Sequence, residues 1–278
     1  MFKIEEMNLY KTTDRFLNNY KHLKKSLKRA PTLEEISDID QLHYNGIEAV
    51  NEAILKTKIK ENNIVLDIGS GIGGPARYLA NKTNSEVIPA DATNLEDLEN
   101  LIQAATNKFG GKLDFVLHSI GMSVNVRKGK HYTDLNYEWL KKGWDVSAVS
   151  FHKLMQSLFK LDAMNQWGSI VALTYIAAQR TFPNYNDMAD NKAYLESIAR
   201  SFGYFFGKEK NVRVNTISQS PTITTAGKGV KGLEDFIKYA DLTSPLGNAT
   251  AEDCADLIVT LFSDYTKRVT LQNIFNDG

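Results

Sequence analysis

The chain has one cysteine, Cys254, so no internal disulfide can hold it together. Its 33 basic and 33 acidic side chains cancel, which removes the electrostatic reason to propose a nucleic-acid or membrane-surface partner. No apolar run approaches the roughly 20 residues needed to span a bilayer. The opening MFKIEEMN lacks the charged-then-apolar pattern of a secretory leader. His22, His43, His118, His131 and His152 show no ligand spacing, and Cys254 has no partner, so the sequence offers no metal site. These absences point to a cytoplasmic protein. With 278 residues, 42% of them apolar, the chain can build one large α/β domain or a domain with an extension.

What is present centres on Leu173 to Lys192, LTYIAAQRTFPNYNDMADNK. Gly168 to Tyr175 (GSIVALTY) is a short apolar run with β-branched residues, which predicts a buried strand. A helix carrying Tyr185 and Lys192 is expected next, then the strand Val212 to Ser218. Strand, helix and strand make a βαβ unit of a parallel sheet. Ligands in such sheets sit beyond the carboxyl ends of the strands, where Tyr175 falls. Seven residues on a helix are about two turns, so Tyr185 and Lys192 are expected on one face. An ammonium beside a phenol lowers the phenol pKa from its usual value near 10 and can hold ribose hydroxyls, leaving the phenol as a donor to a substrate oxygen. By spacing alone, a partly exposed tyrosine and a solvated lysine are the ordinary reading, since about one such pair is expected by accident.

A second candidate is Asn63 to Ala80, NIVLDIGSGIGGPARYLA. An apolar strand runs into Gly69, Gly71, Gly73 and Gly74, and a helix follows. Gly69-x-Gly71-x-x-Gly74 fits a dinucleotide fingerprint, with Asp91 about where a ribose-binding acid is expected. Tight strand-to-helix packing is the alternative. Asp67, just before the glycines, disfavours a pyrophosphate and favours a cationic ligand.

Elsewhere, residues 1–62 read as a helical, polar extension. Lys21, Lys24, Lys25, Lys28 and Arg29 form a basic cluster best read as a solvated helix face. Thr32 and Glu35 match a capping box, and a further helix is expected around 46–57. His43 and Tyr44 are either site or packing residues. Pro89 places a strand at 87–91 on a sheet edge. Leu95 to Phe109 is an amphipathic helix stopped by Gly110 and Gly111, and Leu113 to Ser119 is a strand leading into Gly121. Thr133 to Leu161 is helical in two pieces. A long segment from Ser220 has the length of a lid. Ala251 to Phe262 is the last helix and Val269 to Phe275 the last strand.

From about Ser85 to Gly278 the chain resembles the NADH-dependent enoyl-acyl-carrier-protein reductases, a branch of the short-chain dehydrogenase/reductase superfamily. The segments that carry this are VIPADAT (87–93), KLDFVLHSIGMSVNVRKG (112–129), LTYIAAQRTFPNYNDMADNKAYLE (173–196) and RVNTISQSPTITTAG (213–227). The resemblance implies a Rossmann-like, doubly wound parallel sheet over 63–278 behind the helical extension. It implies that Asp91 and Ala92 touch the adenine of NADH, and that Ser119, Ile120, Gly121 and Val146 line the cofactor. Lys192 would bind the nicotinamide ribose, and Thr222 with Thr224 the carboxamide. Tyr185 would hydrogen-bond the enolate oxygen, Met122, Tyr175 and Met188 would shape the substrate pocket, and Tyr175 would assist protonation. The implied partner is an acyl carrier protein bearing the substrate, and the implied assembly a homotetramer.

Residues 1–83, above all DQLHYNGIEAV and VLDIGSGIGGPARYLA, resemble the start of a class I S-adenosylmethionine-dependent methyltransferase. In that family Asp67, Gly69, Gly71 and Gly73 would lie in the cofactor loop. The chain is therefore expected to be a chimera, with residues 63–83 supplying the first strand and helix to a reductase sheet; Gly69 and Gly71 would then also face NADH. Methyl transfer and an inactive fusion are the competing functions.

Overall fold

A computed structural model describes residues 14–32, 35–36, 39, 50–51, 54–55, 78, 88, 90–222 and 232–278. Asp67, Gly69, Gly71, Gly73 and Gly74, like His43, Tyr44, Pro89 and Thr224, lie outside them. The chain forms two compact units, Met1–Asp91 and Ala92–Gly278.

In the first unit, helix α1 spans Asp14–Leu27. Lys21, Lys24, Lys25, Lys28 and Arg29 are exposed, as a solvated face requires. The expected capping box forms: the Glu35 N–H donates to Thr32 Oγ1 at 3.3 Å, and the Thr32 N–H donates to Glu35 Oε2 at 2.8 Å. The Arg29 guanidinium also grips both Glu35 oxygens, at 2.9 and 2.7 Å. Residues 50, 51, 54 and 55 are helical, in the stretch where a helix was expected. The expected edge strand at 87–91 is not seen where it can be checked: Ile88, Ala90 and Asp91 have no strand conformation.

The second unit opens with α2, Leu95–Phe109, bounded as the sequence predicts. The Asn94 side chain caps it by accepting from the Glu96 and Asp97 N–H groups. Gly110 ends it at φ 70°, a left-handed conformation that glycine adopts without strain. Four strands then make a parallel sheet in the order β1 (Leu113–His118), β2 (Met164–Thr174), β3 (Arg213–Gln219), β4 (Asn273–Asn276). Val116 lies opposite Ile170, and Ile170 opposite Val214.

Between the strands run α3 (Val124–Arg127), α4 (Tyr137–Trp144), α5 (Ser150–Lys160), α6 (Asp187–Phe205), α7 (Leu233–Thr243) and α8 (Ala251–Phe262). A wide helical turn, Asp145–Val149, joins α4 to α5 without a break. Period-two alternation splits the strand side chains between two faces. On one, Val171 and Ile217 pack with Cys254 and Leu261 of α8, and Phe115 stacks on Phe262 with ring centroids 4.9 Å apart. On the other, His118 meets Phe151 of α5 at 4.9 Å, and Val214 lies under Gly203 of α6. Helices on both faces explain why β3 is buried from Arg213 to Ser218 on both of its faces, polar residues included.

Two strand limits differ from the sequence reading. β2 begins at Met164 rather than Gly168, because Trp167 turns through φ 65° and donates its N–H to the Asn211 carbonyl at 2.7 Å, letting the strand continue on both sides of the kink. β4 starts only at Asn273, because Leu271 adopts φ 64° while its N–H reaches the Val214 carbonyl.

At the amino end of the sheet, Arg213 is 3% exposed. Its guanidinium donates to the carbonyls of Leu261, Phe262 and Ser263 at the end of α8, and to that of Trp167 in β2. A cation suits a helix carboxyl end. At the opposite end, β1, β2 and β3 finish side by side and deliver Ser119–Gly121, Tyr175 and Ser220–Thr222 to one edge.

Candidate active site

Lys192 lies on the second turn of α6, with 8% of its surface exposed. Its ammonium donates to the Leu173 carbonyl at 2.7 Å. Burial lowers its pKa to about 8, against an opposing pull from Glu196. The loop after β1 passes directly over it. A Cβ built on Gly121 would stand 2.8 Å from Met188 Cε and 3.7 Å from Lys192 Nζ. Only a residue without a side chain fits there undisturbed.

Tyr185 is not on the helix, contrary to expectation. It occupies a turn between Asn184 (φ 74°) and Asn186 (φ 45°), and α6 begins at Asp187. The two-turn spacing argument therefore does not hold. What brings Tyr185 to the site is the turn, which lays its ring against Tyr175 with centroids 4.9 Å apart. The expected lowering of the phenol pKa is also reversed. Among the described residues the Lys192 ammonium bonds to Leu173 rather than to Tyr185, and burial, then the neighbouring Tyr175, push the Tyr185 phenol up. Tyr175 is 7% exposed, and burial raises its phenol to about 12. Both rings are neutral hydrogen-bond donors at neutral pH.

The two tyrosines belong to a larger aromatic group. Tyr175 meets Phe182 at 5.4 Å, and Phe182 meets Phe236 of α7 at 5.8 Å. Phe182 and Phe236 were not singled out in the sequence. Four rings, with Met188 nearby on α6, make an apolar wall at the strand ends.

Behind the site lies polar scaffolding. Ser147 accepts from the Met122 N–H at 2.8 Å and donates to the Met122 carbonyl at 2.9 Å. The Ser150 hydroxyl donates to the Val146 carbonyl at 2.7 Å, so His118 Nε2, 3.1 Å from the same oxygen, must be its donor. His118 Nδ1 then has no partner among the described residues, and neither has Ser218 Oγ near the end of β3. Burial, then the Lys192 charge, lower the His118 pKa to about 3 and keep the ring neutral.

Asp187 is fully buried and accepts from Ser123 Oγ at 2.7 Å and Asn125 Nδ2 at 2.9 Å. Glu196, 4% exposed, accepts from Thr174 Oγ1, Gln179 Nε2 and Asn273 Nδ2. Sequence reasoning missed both carboxylates. The available signal was charged residues on the face of α6 that must pack against the sheet.

Of the remaining sequence candidates, Ser119 is exposed, and Ile120, Met122 and Val146 are half-buried around the same edge. Thr222 follows β3, donates to the Ser220 carbonyl at 2.9 Å and accepts from Gln219 Nε2 at 3.4 Å. Asp91 ends the first unit and Ala92 begins the second; both are half-buried.

Residues 63–278 match the model of a family described as enoyl-(acyl carrier protein) reductase. That match takes in the glycine loop to which the methyltransferase resemblance also points. The chain is 32% identical over 205 residues to the NADH-dependent enoyl-acyl-carrier-protein reductase 2 of Rhizobium meliloti, covering 73% of this chain and 75% of that protein. It is 36% identical over 182 residues to the corresponding FabI reductase of Rickettsia felis, covering 65% of this chain and 68% of that one. Among solved structures, a FabI–NADH complex from Alistipes finegoldii is 64% identical, with a TM-score of 0.70 over 72% of this chain and 71% of that chain.

Proposed function

The chain belongs to the enoyl-(acyl carrier protein) reductase family, and from that premise we propose how its residues share the work of an NADH-dependent reduction of trans-2-enoyl thioesters in fatty-acid biosynthesis. NADH fits the strand-end cleft on two counts. Gly121 presents exposed, bare backbone beside Lys192 at the strand ends, and His118 Nδ1 and Ser218 Oγ are buried polar atoms without a partner among the described residues. When bound, NADH supplies the hydride that adds to the β-carbon of the enoyl group.

The residues divide as follows. Ser119, Ile120, Gly121 and Val146 line the cofactor, Asp91 and Ala92 its adenine end, and Thr222 with Thr224 its carboxamide. Lys192 has three donor protons. Leu173 takes one, and the others hold ribose hydroxyls. Tyr185, kept protonated by burial, donates to the thioester oxygen as that oxygen gains negative charge. A donor preorganised toward developing charge lowers the barrier because the site need not reorganise during reaction. Tyr175 stands next to it to assist protonation. Met122, Met188, Phe182 and Phe236 exclude water from the acyl chain.

The observation that carries this reading is the convergence of Gly121, Met188 and Lys192 beside the Tyr175–Tyr185 ring pair. The test is NADH consumption with a short enoyl thioester. Oxidation that depends on the thioester supports the reading, and none at any enzyme concentration sinks it.

The same reading takes an acyl carrier protein as the natural substrate carrier, a homotetramer as the assembly and the cytoplasm as the location. No described helix is long and apolar enough to cross a membrane. Residues 1–62 form a helical extension in this scheme and 63–278 the catalytic domain. The methyltransferase-like opening is tested by calorimetry: heat with NADH and none with S-adenosylmethionine would retire it as a functional site.

A further inference from the structure

Asp187 has no part in the chemistry above, yet it is 0% exposed at the first position of α6. A carboxylate is costly to bury unless donors replace its water. Here Ser123 and Asn125 do so at 2.7 and 2.9 Å, and the amino end of a helix favours the negative charge. Both donors come from the segment after β1, more than sixty residues away in sequence.

We propose that Asp187 is a positioning residue: by holding Ser123 and Asn125 it fixes the loop after β1 against the first turn of α6, and so sets Gly121 and Met122 against Met188 and Lys192. The proposal rests on the reductase reading for its consequence, but its geometry stands without it.

Each donor is committed on its other side. Ser123 Oγ accepts from the Val126 N–H at 3.0 Å and so caps α3. Asn125 holds Asn136 in both directions, accepting from its N–H at 3.0 Å and donating to its carbonyl at 3.2 Å. Moving Asp187 would therefore move a whole stretch and not one side chain. The preceding residue makes a parallel tie, since Asn186 Nδ2 donates to the Lys130 carbonyl of the same stretch. Consecutive residues 186 and 187 thus clamp one loop, directly after Tyr185.

Ser147 pins that loop again at Met122. Gly143, which closes over the clamp from α4, is tightly packed: a Cβ there would lie 3.3 Å from both Asn191 Nδ2 and the Met122 carbonyl. A shift in the loop would move Gly121 relative to Met188 and Lys192, and with them the cofactor relative to Tyr185. Misplacement by about 1 Å can cost a hundredfold in rate.

The test compares the full chain with Asp187→Ala, Asp187→Asn, Asn125→Asp and the double swap Asp187→Asn with Asn125→Asp. The swap restores the hydrogen bond with donor and acceptor exchanged, at the cost of setting a carboxylate oxygen against the Asn136 carbonyl where Asn125 Nδ2 donated, so only partial recovery is expected. Turnover and KM are measured beside amide hydrogen exchange. Expected are a fall in kcat of about a hundredfold in Asp187→Ala, faster exchange confined to 119–130 and 184–190, and recovery of about tenfold in the swap relative to Asp187→Asn. Unchanged kcat and exchange in Asp187→Ala would overturn the proposal. So would faster exchange throughout the domain with no recovery in the swap, which marks a residue of general stability. Should Asp187→Ala fail to fold, the Asp187→Asn and swap pair decides. An unaltered chain that oxidises no NADH defeats the reductase reading alone, because the exchange comparison still decides whether Asp187 holds the loop.

Discussion

Glu196 stands one helical turn after Lys192, and consecutive residues at the end of β2 hold the two. The Leu173 carbonyl takes the Lys192 ammonium at 2.7 Å, and the Thr174 hydroxyl donates to Glu196 at 2.9 Å. Tyr175 comes next in the chain. The register of α6 against the sheet therefore also sets where Tyr175 leaves the strand.

The Lys192 ammonium, facing Glu196 on α6 and the neutral His118 of β1, titrates near pH 8 because burial disfavours its charge. If the charged form holds the ribose, NADH affinity is full below that pH and falls as pH rises through it. Fluorescence titration of NADH across this range checks the sign. Lys192→Ala should bind NADH weakly and without that inflection, and a flat profile in the unaltered chain would remove the ribose contact.

Glu196→Gln keeps the size of the side chain and removes the charge that raises the Lys192 pKa. The inflection in NADH affinity should then move to lower pH. An unmoved inflection would mean that Glu196 acts only through Thr174, Gln179 and Asn273.

Tyr185→Phe removes one donor aimed at developing charge, a loss of roughly 2.7 to 4 kcal/mol, or about a hundred- to thousandfold in kcat. NADH affinity should be preserved, since the proposed ribose contact is that of Lys192. Near-normal turnover would exclude Tyr185 from the mechanism.

Phe236→Ala breaks the ring contact between α7 and Phe182. Aromatic pairs of this kind contribute about 0.5–1.5 kcal/mol beyond burial. The expected result is a several-fold rise in KM for the enoyl thioester with NADH affinity unchanged. An equal loss of both would show that Phe236 supports the fold and not the acyl pocket.

His118 is held neutral in the folded chain down to about pH 3, whereas its ordinary value is 6.5. Between those values the unfolded chain binds a proton that the folded one refuses. Stability present above about pH 6.5 is therefore lost progressively as pH falls towards 3. Chemical denaturation at several pH values should show a shallower acid decline in His118→Gln.

Much of the second unit was legible because local signals and tertiary structure agree. Asn94 and Gly110 bound α2 by capping chemistry alone, and the stretches at 113–118 and 213–219, the first largely apolar and the second rich in β-branched residues, are strands for the reason their composition suggests. Tyr185 was misplaced because the helical reading ran through Pro183, Asn184 and Asn186, residues that favour turns. Reading those signals would have started α6 at Asp187. The Asp187 clamp was beyond reach for a different reason: its partners lie 62 and 64 positions away, and nothing local in Ser123 or Asn125 indicates that fold brings them together.

Arg213 ties the carboxyl end of α8 to β2 at the end of the sheet away from the cleft. The rivet and the strand ends that carry Tyr175 thus occupy opposite ends of the sheet. On the proposed function, Phe182 and Phe236 can be retailored for altered chain-length preference without touching the Arg213 fastening. Directed evolution of this scaffold should accept changes readily at those two positions and punish them at Arg213.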